Sequence, residues 1–168
     1  MLFAKTGRRI QNLRAVQLFG EPIQLVDVAR YLGVTLDKRH NWSKHIDQVR
    51  KKAAQRSGTL GSLLNRRSGL SIRNGVQLYK QLIRPMIDYA CPVWRAAVHS
   101  HIKKLQVLQS KCLRIATNAP WCIGNRQIHD DLRVSYFSDH IRSLTERFYS
   151  KLADVENPLV EQLGRHLR

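Results

Sequence analysis

VARYLGVTLDKRHNW, Val28–Trp42, is the stretch on which the fold turns. Arg30–Asp37 reads as an apolar strand, with Tyr31, Gly33 and Thr35 on one face and Leu32, Val34 and Leu36 on the other. It stops at Asp37, and a basic helix follows at once. Such a strand needs a sheet to sit in, and little before it supplies one. MLFAK is a short apolar start, and AVQLFG (Ala15–Gly20) and PIQLVDV (Pro22–Val28) are short β-like runs joined at the turn signal Gly20-Glu21-Pro22. Three short strands form a ribbon with one exposed face, which is marginal alone and presents an edge prone to pair with other chains.

After Asn41 the apolar period becomes helical. Ile46, Val49, Ala53, Leu60 and Leu64 predict the inner face of a helix over Ser43–Leu64, with Lys44, Gln48, Lys51 and Gln55 opposite. Asn41 or Ser43 suits the cap, Asp47 suits the positive end of the dipole, and Gly58 and Gly61 allow a break. A second helix is expected from Ser71 to Arg84, carrying Ile72, Val76, Tyr79 and Ile83, with Pro85 ending or kinking it. MIDYACPVW continues as a buried apolar segment. A third helix, His99–Ala116, turns Ile102, Leu105, Leu108, Cys112 and Ile115 inward and Lys103, Lys104, Lys111 and Arg114 outward. TNAPWCIGN is a loop, after which Asn125 caps a short helix over Arg126–Leu132. A last helix, Tyr136–Leu152, buries Phe137, Ile141, Leu144, Phe148 and Leu152. The expected class is α+β, predominantly α: a short N-terminal antiparallel β ribbon followed by a basic bundle of about five helices.

The charge balance narrows the partner. Across 168 residues, 29 Lys+Arg face 12 Asp+Glu, for a net charge of +17. A chain so charged repels itself unless a polyanion is near, and nucleic acid is the default, because Lys/Arg–phosphate contacts release counterions without reading sequence. An anionic membrane surface is the weaker alternative. Cys91, Cys112 and Cys122 are odd in number and irregular in spacing, which argues against a disulfide framework and for a reducing compartment. There is no signal-peptide pattern and no apolar run near the ~18 residues of a membrane span. The expectation is an intracellular protein, in nucleus or cytoplasm, neither secreted nor membrane-bound.

The search for catalytic chemistry returns little. Nucleotidyl transfer needs carboxylates that hold two metal ions about 4 Å apart. The adjacent pair Asp130-Asp131 falls in a short helix, where acids merely suit the first turns. His99, His101 and the three cysteines lack zinc-site spacing. No phosphate-binding glycine loop, nucleophile elbow or zinc-protease motif occurs. The expected set is therefore no catalytic residue, no metal ligand and no cofactor in this chain.

The basic residues remain. Lys38, Arg39, Lys44, Arg50, Lys51, Lys52 and Arg56 cluster at the strand–helix junction, and Arg66 and Arg67 follow in the next turn. Trp42 and His45 interleave with them and could stack on a sugar or base. The alternative is a solvated helix face with Trp42 packed on the core, and for any single lysine that alternative is the better reading. The whole cluster, with few acids to pair with it, favours non-specific phosphate contact.

YLGVTLD, NWSKHIDQVRKKAAQRSGTLGSL, LYKQLIRPMIDYACPVW and HIKKLQVLQSKCLRIATNAPW, in this order and spacing, resemble the end of the reverse transcriptase of non-LTR retrotransposons, most closely the jockey-type elements of insects. The resemblance covers nearly the whole chain. It implies a palm edge over 1–40, with Tyr31, Leu32 and Gly33 at the primer grip. A thumb-like bundle over 41–120 and a connection region over 121–168 would follow. It also implies template–primer contact by the Lys44–Arg56 helix, with RNA–DNA hybrid or duplex as partner. The family's metal-binding acids, and the Mg²⁺ they hold, lie upstream of Met1, and AKTG resembles an internal palm motif. The chain thus reads as the tail of a longer polyprotein, expected to bind but not to polymerise and to need the missing fingers and palm as partner. A stand-alone non-enzymatic nucleic-acid-binding remnant and a decayed element without selected function are the alternatives.

Overall fold

The computed structural model describes residues 17–24, 26–64, 68–153 and 155. MLFAK, AKTG, Ala15, Val16, Arg66 and Arg67 lie outside the described residues. Two small antiparallel ribbons lead into helices: β1 (Gln17–Leu18) pairs with β2 (Glu21–Pro22), and β3 (Val28–Tyr31) pairs with β4 (Val34–Asp37). The helical part runs α1 (Ser43–Thr59), α2 (Gly61–Leu64), α3 (Ile72–Leu78), a π turn (Tyr79–Ile83), α4 (Arg84–Asp88), α5 (Cys91–Trp94), α6 (His99–Thr117), α7 (Asn125–Asp131) and α8 (Phe137–Ala153). The chain is predominantly α with a small β portion, as the periodicity predicts.

The single strand expected over Arg30–Asp37 is instead a hairpin. Tyr31 pairs with Val34 across a two-residue turn, and both turn residues have positive φ, Leu32 at 46° and Gly33 at 80°. That combination matches the right-handed twist of the flanking strands. Leucine is uncommon in this backbone region, so the sequence disguises the turn. A clamp 57 residues away holds it: the Tyr89 hydroxyl donates to the Leu32 carbonyl at 2.8 Å. A Cβ on Gly33 would lie 3.2 Å from Tyr89 Cε1, so glycine also makes room for that ring. Among the described residues β3 and β4 form a two-stranded ribbon, and β4 packs on α1.

The helices are cut where local chemistry demands it. α1 stops at Leu60, whose N–H bonds to the Arg56 carbonyl, and α2 follows through the Gly58–Gly61 region. Pro85 does not end the second helical region. It has no N–H to give to the carbonyl four residues back. The Arg84 N–H bonds to Tyr79, five residues back, and this π turn carries the helix on to Asp88. α6 crosses α3 closely at Gly75, where an added Cβ would lie 3.3 Å from Ala116 Cβ.

One hydrophobic core runs from Val34 on β4 to Ile141 on α8 and includes Ile46, Ala53, Tyr79, Ile83, Ile87, Leu105, Leu113 and Phe137. Trp94 is its largest fully buried side chain. Its Nε1–H donates to the Tyr89 carbonyl at 2.9 Å, and its ring stacks on Phe137 at 6.5 Å and approaches His45 at 6.2 Å. It thereby ties the hairpin clamp, the start of α1 and the start of α8 together. Phe148, expected inside, is 45 % exposed. Arg114, expected outward, folds back and donates to the carbonyls of Pro120 and Ile123 and to Asn125 Oδ1. Cys91 and Cys112 are buried, and burial pushes both thiols up, Cys91 to about 11; Cys122 is exposed.

Candidate nucleic-acid interface

The interface candidate is assembled at the junction of β4 and α1, and Asp37 builds it. The Asp37 carboxylate accepts from the N–H groups of Asn41 at 3.1 Å and Trp42 at 3.0 Å, two donors that precede the first helical turn. Neither Asn41 nor Ser43 is the cap residue. Trp42 occupies that position with φ 64°, and Asn41 Oδ1 accepts from the Ser43 N–H just outside it. Below, the Thr35 N–H donates to His45 Nδ1 at 3.3 Å, and the Thr35 hydroxyl donates to Gln48 Oε1 at 2.7 Å. Burial, followed by the nearby Lys52 charge, lowers the His45 pKa and favours the neutral ring that can accept this bond. The strand end thus fixes where α1 starts and how it is rotated.

Removing the Asp37 carboxylate orphans two donors at a buried junction, so Asp37→Ala is expected to cost about 1–3 kcal/mol. Urea unfolding of the variant checks this; an unchanged midpoint would mean that other acceptors hold α1.

The rotation sets the face that α1 presents. Lys44, Gln48, Lys51 and Gln55 are exposed and recur at helical spacing along one face, with Lys52 and Arg56 exposed beside them. Lys52, Gln55, Arg56 and Thr59 of α1, with Met86 of α4, line an open cleft of about 320 Å³. Arg50 is half-buried. Lys38 is exposed but bonds to Asp27 Oδ1 at 2.8 Å, and this pairing lowers the Asp27 pKa. Arg39 is exposed beside it. Lys104 of α6 meets Asp47 at 2.9 Å, and Cys112 meets Ser57, so α1 and α6 run parallel.

Two expected residues change role. Trp42 is only 5 % exposed and His45 only 3 %. The Trp42 indole packs on the core, with His40 and His45 as ring neighbours, and does not offer a stacking face. Of the three residues expected at a primer grip, Tyr31 and Leu32 are 65 % and 72 % exposed at the hairpin tip, next to Gly33. Asp130 and Asp131 are both exposed on α7, and Asp130 lies 4.0 Å from Arg126. Neighbouring residues of a helix point about 100° apart, so the two carboxylates diverge. Among the described residues, no three His, Cys, Asp or Glu side chains converge as metal ligands, and no helix is long and apolar enough to cross a membrane. Asp37 and Tyr89, which position the site, were missed by the sequence reading; an acid closing a strand just before a helix was the available signal for Asp37.

The architecture defines a mainly helical chain whose first long helix displays an exposed basic face. The chain is homologous to the RNA-directed DNA polymerases of jockey-type mobile elements. It is 35% identical over 144 residues, 86% of its length, to the probable RNA-directed DNA polymerase from transposon X-element of Drosophila melanogaster, covering 16% of that protein. It is 32% identical over 155 residues to the RNA-directed DNA polymerase from mobile element jockey of Drosophila funebris, and 31% over 158 residues to that of Drosophila melanogaster. These matches cover 92% and 94% of this chain and 17% of each relative, so the chain spans about a sixth of the curated relatives it matches. No family model and no solved structure matches it.

Proposed function

We propose that the chain is the palm-edge and thumb portion of a non-LTR retrotransposon reverse transcriptase, and that α1 grips the backbone of the template–primer duplex. The observation that carries this reading is the exposed Lys44–Lys51–Lys52–Arg56 face, held at a fixed rotation by Asp37 and Thr35. Rigid presentation matters, since side chains on a locked helix contact phosphates at less entropic cost than those on a loop. In this reading residues 1–40 are the palm edge, with Tyr31, Leu32 and Gly33 at the primer end. Residues 41–120 are the thumb and 121–168 a connection. Exposed Arg39, with Lys38 and half-buried Arg50, adds to the basic surface, and Arg66 and Arg67 add two further charges in sequence. Trp42 serves as a packing anchor and not as a stacking residue. The catalytic acids and their Mg²⁺ belong to the fingers and palm of the longer polymerase, which is also the partner this portion docks against.

The chemistry assigned to this portion is binding. Phosphate contacts position a duplex and carry no sequence information. Changing Lys44, Lys51 and Lys52 together to Ala is therefore expected to weaken binding to RNA–DNA hybrid at least about 10-fold, evenly across sequences. Fluorescence anisotropy with labelled hybrids of two unrelated sequences checks this, with circular dichroism to verify folding. Equal affinity of the folded triple variant would remove α1 from the interface.

A further inference from the structure

Trp121 is 93 % exposed, whereas Trp42 and Trp94 are 5 % and 0 % exposed. An indole is one of the largest apolar surfaces a chain can bury, and one left bare is a feature that needs a cause. Here the loop that carries it is held rigidly. Asn118 ends α6 in the left-handed conformation with φ 51°, and its N–H bonds to the carbonyls of Arg114 and Ile115. The Ala119 N–H returns to the Arg114 carbonyl, and the Ile123 N–H returns to Pro120. The Arg114 guanidinium then bonds to the Pro120 and Ile123 carbonyls and to Asn125 Oδ1, at 2.8–2.9 Å. Trp121 lies between the two carbonyls that Arg114 grips. The side chain is displayed by a braced turn.

The electrostatic setting selects the partner. α6, which delivers the loop, has no acidic residue in its 19 positions, and Lys103 and Lys111 on it are exposed. Arg126 follows the loop with its side chain 88 % exposed and lies 4.0 Å from Asp130. A flat, bare aromatic ring in basic surroundings fits a nucleobase attached to a phosphate chain, since every base offers a π face and cations hold the backbone. We propose that Trp121 is a stacking platform for an unpaired base of single-stranded nucleic acid. The inference rests on the nucleic-acid partner proposed above, but uses a different surface and a different kind of contact.

The three tryptophans make the test direct. The difference in emission between the wild-type chain and Trp121→Phe isolates the exposed indole. Titration with an oligodeoxythymidine single strand is expected to quench that difference signal, while a blunt duplex of the same length leaves most of it. Trp121→Ala is expected to weaken single-strand binding about 10-fold without changing the salt slope, because the indole carries no charge, and Trp121→Phe to restore part of it. Binding that persists in anisotropy without quenching, with Trp121→Ala equal to wild type, overturns the stacking role and leaves the α1 reading standing. So does a wild-type dimer that Trp121→Ala converts to monomer, since the ring would then be a protein contact. Absence of any binding overturns both readings.

Discussion

Trp94→Ala is expected to destabilise the chain by about 3–5 kcal/mol, the range for removing a fully buried tryptophan. Against a total stability of about 5–15 kcal/mol this is a large fraction. The cost has three sources. The indole leaves a cavity between α5 and the start of α8, where it stacks on Phe137. Its N–H is lost to the Tyr89 carbonyl. Tyr89 in turn holds the Leu32-Gly33 turn through its hydroxyl, so the hairpin clamp loosens as well. The expected outcome is a fall in Tm on the order of 10 °C with helical circular dichroism retained at low temperature. Trp94→Phe, which keeps a ring and loses the N–H, is expected to recover much of the stability. Val107→Ala, at a position 61 % exposed, is expected to change it by no more than about 0.5 kcal/mol. A loss below about 1 kcal/mol for Trp94→Ala would be incompatible with its place at the centre of the core.

The same clamp marks where sequence reading reached its limit. The helices were legible because their signal is periodic and local. Ile46, Ala53, Leu60 and Leu64 are buried, and Lys44, Gln48, Lys51 and Gln55 are exposed. The hairpin was not legible, because its turn uses a leucine at φ 46° and is secured by Tyr89 from a distant helix end. Nothing within YLGV announces a partner 57 residues away. Trp42 illustrates a second limit. Its neighbours in sequence are basic, but its left-handed backbone and the Asp37 carboxylate turn the ring inward. Arg114 illustrates a third: its acceptors are backbone carbonyls of a turn, and a turn's carbonyl directions are not written in its side chains. The loop from Thr117 to Asn125 was anticipated, and the exposure of its indole was not, since tryptophan is ordinarily well buried.

Binding of this chain to RNA–DNA hybrid is expected to collapse as salt rises. Arg39, Lys44, Lys51, Lys52 and Arg56 are exposed at the end of β4 and along α1. If about five phosphates are neutralised, log K falls with log salt at a slope of about −4 to −5. Raising monovalent salt from about 50 to about 200 mM then weakens binding roughly 500-fold. The slope also tells which surface makes the contact. Changing Lys44, Lys51 and Lys52 to Ala removes three of the five charges, so the slope should shrink to about −2. The chain has other cations to offer, among them the exposed Lys103 and Lys111 on α6 and Arg142, Arg147 and Lys151 on α8. Were one of those faces the true interface, the triple variant would keep the full slope and lose little affinity. A slope near zero in the wild-type chain would refute electrostatic gripping altogether. Only the combination of a steep wild-type slope and a shallow variant slope is compatible with α1 as the element that holds the duplex, because counterion release counts phosphates neutralised and not residues nearby.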